Sequence, residues 1–96
     1  MTTHDLKIWP EWFKLVIMRT KEFEIRKNDR PFQPGDTLRL KEYEPTTGTF
    51  TGRVGICRVT CVLSNMPGLL PGYVALGAFF QHLETKHTAP DKEVET

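Results

Sequence analysis

Cysteine and histidine are scarce in this chain and long apolar runs are missing, and each shortage removes a class of protein. The 96 residues hold two cysteines, Cys57 and Cys61, and three scattered histidines, His4, His82 and His87. Four positions along a strand span ~13 Å, more than a disulfide allows between Cα atoms, so both cysteines read as reduced core thiols. No set of residues has zinc-ligand spacing, and neither a metal nor a cofactor is expected. No stretch approaches the ~18 apolar residues of a membrane span, and the start Met1-Thr2-Thr3-His4 leads into charged Asp5 and Lys7 rather than an apolar leader core. The expectation is a cytoplasmic protein without membrane contact. Ser64 lacks the flanking glycines of a nucleophile elbow, and Gly68, Gly72 and Gly77 do not make a phosphate-cradling loop.

Charge of one sign is also lacking: 13 Lys and Arg oppose 12 Asp and Glu, for a formal net of +1. The overall field therefore favours no ligand class, and local clusters must decide. At 11.1 kDa the chain supports one small core and little more. The domain is read as residues 1–84, with a polar, mobile tail over residues 85–96.

What is present alternates. Asp5 to Trp9 reads as a short strand, and Pro10 is placed to open a helix at its first position. Trp12, Phe13, Val16 and Ile17 then recur at helical spacing and are expected in the core, with the helix ending near Thr20. Glu22 to Lys27 reads as a strand with Phe23 and Ile25 inward, which places Glu22, Glu24 and Arg26 on the opposite face. Pro34-Gly35 fits the centre of a type II turn, and Thr37 to Tyr43 forms the next strand. From Thr49 to Leu63 the apolar parity switches, from Phe50, Val54 and Ile56 to Cys57, Val59, Cys61 and Leu63. An extra residue near Gly55 to Cys57 explains that switch as a bulge, and a bulged strand curls the sheet. Leu69 and Leu70 are read as a loop covering one end, and Gly72 to Phe80 as the closing strand.

The strongest constellation is Lys21-x-x-Glu24-x-Arg26 followed by Asn28-Asp29-Arg30. An arginine fork grips a carboxylate, a phosphate or a base edge at two points. The plain alternative is that Glu22, Glu24, Arg26 and Lys27 form a solvated strand face, with cross-strand ion pairs to Arg39 or Lys41 worth ~0.2–1 kcal/mol each. Trp9, Phe32, Tyr43 and Tyr73 are left available to stack on a base.

These residues carry a resemblance. Leu6-Lys7-x-Trp9-Pro10-x-x-Phe13, Lys21-x-Phe23-Glu24-x-Arg26-Lys27-Asn28-Asp29-Arg30, Phe32-x-x-Gly35-Asp36-x-Leu38-x-Leu40 and Gly68-Leu69-x-Pro71-Gly72-Tyr73 together resemble the ASCH superfamily, in its subgroup of short bacterial and phage proteins. The resemblance implies an α+β fold: a small curled, mixed or antiparallel β-barrel of PUA-like type with a short N-terminal helix and room for further short helices. It also implies a groove walled by a Gly-x-Lys-x-x-Glu-x-Arg signature. Lys21, Glu24 and Arg26 match that signature, and Thr20 is read at its glycine position. The implied ligand is RNA or a nucleoside-like small molecule, bound by Lys21, Glu24, Arg26, Lys27, Asn28, Arg30, Trp9 and Tyr73.

Two alternatives stand beside binding. In a small amidohydrolase acting on an acylated or otherwise modified nucleoside, Lys21 would be base or nucleophile, Glu24 would orient or exchange a proton, and Arg26 would steady the oxyanion. In a protein-interaction or structural domain, a sheet edge or the tail would meet an unidentified protein partner.

Overall fold

The computed structural model describes residues 1–85, in which β1 (Thr3–Ile8), α1 (Pro10–Ile17), β2 (Phe23–Lys27), β3 (Thr37–Glu44), β4 (Thr49–Ser64) and β5 (Tyr73–Thr85) follow in order. The strands form one mixed sheet in the order β1-β3-β4-β5-β2, with β1 and β3 parallel and the other pairs antiparallel. This sheet curls into a half-barrel, and α1 packs against β3, β4 and β5. Its two edges, β1 and β2, are not paired with each other by a backbone ladder. Side chains cross between them instead. Arg26 Nη2 donates to the Lys7 carbonyl at 2.9 Å and Arg30 Nη1 to the Asp5 carbonyl at 3.3 Å.

Trp9 caps α1 in an extended conformation without a side-chain hydrogen bond, and Pro10 occupies the first turn. Phe13 and Val16 are buried, whereas Trp12, expected beside them in the core, is exposed. Trp12 follows Trp9 by three positions, so the helix turns Trp12 toward the side on which Trp9 enters it. At the other end Arg19 N–H donates to the Val16 carbonyl and Thr20 N–H to the Leu15 carbonyl, the hydrogen-bond pair of a Schellman stop. That stop needs a left-handed residue, and Arg19 supplies it with φ 59°. The expectation at Thr20 is therefore off by one: two positions before Lys21, where the signature has glycine, stands Arg19.

The facing of β2 is the reverse of the sequence expectation. Glu24 is 3% exposed, whereas Phe23 and Ile25 are 51% and 53% exposed. Register explains the reversal. Glu24 pairs with Leu76 and Arg26 with Val74, the fully buried residues of β5, and directly paired residues share a face. In this register Phe23 and Ile25 share a face with Gly77 and Ala75, so turning them inward would expose the whole Val74, Leu76 and Ala78 row.

β4 shifts register between Ile56 and Cys57, where the parity switch predicts a bulge, and again between Val59 and Cys61. The second shift was not legible as a parity change and corrects the reading of the thiols. Cys57 is buried in the core, but Cys61 lies past the second bulge and is exposed. Gly77 faces that bulge, and a Cβ there would overlap Thr60 Oγ1 and come within 3.3 Å of the Cys61 amide nitrogen. Gly35 takes φ 94°, as the turn at Pro34-Gly35 requires. β5 continues to Thr85 rather than stopping near Phe80, because Arg53 to Ile56 pair with His82 to Thr85. The tail expected from residue 85 onward thus yields Thr85 to the strand, and its remainder lies outside the described residues. Leu70 is exposed and covers no end of the sheet. Among the described residues α1 is the one helix, and no helix is long and apolar enough to cross a membrane.

The core gathers Leu6 and Ile8, Phe13 and Val16, Leu38 and Leu40, Cys57 and Val59, and Val74, Leu76 and Ala78. Two buried carboxylates brace its margins. Asp36 accepts from His4 Nε2 at 2.8 Å and from the amides of Thr2 and Gln33, tying β1 to the turn before β3. The His4 hydrogen bond leads in holding the Asp36 carboxyl below its ordinary 3.8, against the opposing effect of burial. For Glu42 burial pushes upward, but hydrogen bonds from Arg53 and Thr51 and the Arg53 charge together leave it below 4.5. The stability these groups contribute is complete above those ordinary values and is lost as pH falls through the lowered values of the folded chain. The urea midpoint is expected to hold from neutrality to about pH 5 and then drop. Glu42→Gln should lower the midpoint at pH 7 and give a shallower fall in acid.

Candidate ligand groove

β1, α1 and β2 enclose a groove of about 750 Å³ at the open seam of the half-barrel. Lys7, Ile8 and Trp9 line it from the end of β1, Trp12 and Leu15 from α1, and Phe23 to Arg26 from β2, with Thr20 and Lys21 between. The Schellman stop positions the last of these, since the amides of Thr20 and Lys21 both donate to the Leu15 carbonyl. The chain thereby leaves the helix directly over the first residue of β2.

Lys21, Glu24 and Arg26 converge there, as the sequence expects. Glu24 Oε2 accepts from Lys21 Nζ, and Oε1 accepts from Arg26 Nε at 3.1 Å and Nη2 at 3.0 Å. Lys21 also donates to the Phe23 carbonyl at 2.6 Å. The side chains of Lys21 and Arg26 are 16% and 13% exposed, so this is a half-buried network with a formal charge of +1 rather than a solvated strand face. A carboxylate buried this deeply requires paired donors, and two cations supply them.

Cys57 lies close enough to feel both charges. Burial, reinforced by Glu24 and opposed by Lys21, pushes its thiol up to about 12. A thiol so held stays protonated and is not a nucleophile at neutral pH.

The aromatic wall is Trp9 and Trp12, 48% and 47% exposed. Trp12 was missed as a functional candidate because its helical spacing matched the core stripe; its offset of three from Trp9 carried the signal. Lys7, also missed, sets its Nζ 4.4 Å from the centre of the Tyr43 ring and gives its carbonyl to Arg26. Other sequence candidates stay outside. Lys27 and Asn28 are exposed, with the Asn28 amide bound to the Gly72 carbonyl. Arg30 pairs with Asp29 and bridges to Asp5, and Tyr73 faces Lys27 in the strand register, away from the lining. Among the described residues no three of His, Cys, Asp and Glu are grouped to hold a metal.

Glu24→Ala should cost about 3–5 kcal/mol in chemical denaturation, because two cations remain without their counter-charge. Replacing the network together with apolar residues, Lys21→Met, Glu24→Leu and Arg26→Met, should cost much less than that single change. In the native protein, iodoacetamide should modify Cys61 alone, with Cys57 reacting after denaturation; peptide mass spectrometry reads the order.

Comparison with known proteins gives this arrangement a family. The model described as "Domain of unknown function (DUF3850)" matches residues 3–78, a span that contains every residue lining the groove. A protein of Escherichia phage P2, described as "Uncharacterized 12.9 kDa protein in GpA 3'region", is 40% identical over 73 residues, covering 76% of this chain and 64% of its own length. The chain therefore spans less than two-thirds of that phage relative. On a match that takes in β1 through β4 and the first part of β5, the chain belongs to the DUF3850 family.

Proposed function

We propose that the groove binds a nucleobase, as part of RNA or of a nucleoside-like small molecule. The carrying observation is the meeting of two half-exposed tryptophans with a half-buried Lys21–Glu24–Arg26 network in one groove. A flat ring gains about 1–3 kcal/mol by stacking on an aromatic side chain, and a guanidinium or ammonium at the ring's edge supplies orientation. A half-barrel with one helix at its seam is consistent with a PUA-like domain of ASCH type, which is the fold reading we attach to this function.

Binding is favoured over acyl transfer by the way the polar groups are engaged. For Glu24 to exchange a proton in an amidohydrolase it would first have to give up a partner, because both of its oxygens already accept hydrogen bonds from Lys21 and Arg26. Lys21 enters the groove as a donor, with two of its N–H bonds given to Glu24 and Phe23.

Tryptophan emission provides the test, since Trp9 and Trp12 are the two tryptophans of the chain and both line the groove. Nucleosides and short single-stranded RNAs should quench it saturably. Trp12→Ala should weaken binding by about 1–3 kcal/mol in calorimetry, the worth of one stacked base. Unchanged affinity in that variant, with the fold intact by circular dichroism, would place the ligand elsewhere. Release of an acyl group from a modified nucleoside in the same samples would favour the enzyme reading.

A further inference from the structure

The Lys21–Glu24–Arg26 network spends its acceptors internally and keeps donors to spare. Arg26 gives Nε and Nη2 to Glu24 and Nη2 also to the Lys7 carbonyl, while Nη1 makes no hydrogen bond among the described residues. Lys21 gives two of its three N–H bonds to Glu24 and to the Phe23 carbonyl. The backbone acceptors at Lys7 and Phe23 are thereby occupied, and both oxygens of Glu24 are engaged. What the network leaves for a ligand is a cationic set of donors, two on Arg26 Nη1 and one on Lys21 Nζ, beside the Thr20 hydroxyl and the backbone of the edge strand β2, which can also accept.

We infer that the groove selects 6-oxopurines, guanine or hypoxanthine, over adenine; the inference rests on the nucleobase reading above. A ring edge that faces these donors must carry acceptors and no N–H. The O6 and N7 edge of a 6-oxopurine has two adjacent acceptors, the pattern that arginine and lysine read in guanine elsewhere. Adenine presents N7 beside an amino group, which turns a donor toward the unengaged donors of Arg26 and Lys21. Uracil offers O4 next to a C–H, one acceptor in place of two. The tryptophans hold any of these rings alike, so the edge decides.

Quenching of tryptophan emission by guanosine, inosine, adenosine, uridine and 7-deazaguanosine, at one salt concentration, tests this on the unaltered protein. Guanosine and inosine should bind at least about tenfold more tightly than adenosine, as one or two lost base-edge hydrogen bonds imply. 7-Deazaguanosine, which lacks the N7 acceptor, should fall between. Equal binding of all five would overturn the selectivity and leave the nucleobase reading standing. Preference for adenosine or uridine would likewise overturn it, and no saturable quenching by any of them would overturn both.

Discussion

The arrangement depends on a single buried carboxylate. Glu24 occupies an inward position of β2, among side chains that the rest of the sheet fills with leucine and valine, and it is tolerated there because Lys21 and Arg26 complete its hydrogen bonds. Satisfying that carboxylate fixes three elements at once. Lys21 ties the exit of α1 to β2, and Arg26 ties β2 to the Lys7 carbonyl of β1. The groove is the space left between elements so joined, and its walls are as well determined as the network is complete.

A second constraint comes from the long hairpin of β4 and β5. Two register shifts in β4 bend the sheet around α1, and small residues on the facing strand leave room for the bend. Without that curvature the edges β1 and β2 would lie far apart, and Arg26 could not reach the opposite strand. The core of the half-barrel and the seam that holds the groove are therefore consequences of the same irregular strand.

The fold was legible where period and punctuation agreed. Pro10 marked the start of α1, Pro34-Gly35 the turn before β3, and the parity switch at Ile56 and Cys57 the first bulge. The facing of β2 was not legible, because Phe-Glu-Ile-Arg-Lys satisfies an alternating pattern in either orientation and its facing is decided by pairing with β5. The second bulge was hidden for a related reason: Val59, Cys61 and Leu63 keep one parity in sequence while the extra residue turns the chain over in space. Of the site, Lys21, Glu24 and Arg26 followed from spacing and resemblance. Trp12 did not, since a tryptophan on the apolar stripe of a short helix and one at the edge of a cleft leave the same trace in sequence. Lys27, adjacent to the network in sequence, alternates away from it, and Asn28 lies past the end of β2 with its backbone N–H given to the Gly72 carbonyl.

The arginines that span the seam have one more effect. A half-barrel leaves two strand margins unsatisfied, and such margins invite a neighbouring molecule to extend the sheet. Here the outward carbonyls of Asp5 and Lys7 are already capped by guanidinium groups from the opposite margin. A second molecule approaching β1 finds bulky charge where it would need a clear row of acceptors. The cross-seam contacts thus serve colloidal behaviour as well as shape: they guard an incompletely closed sheet against polymerising through its own edge.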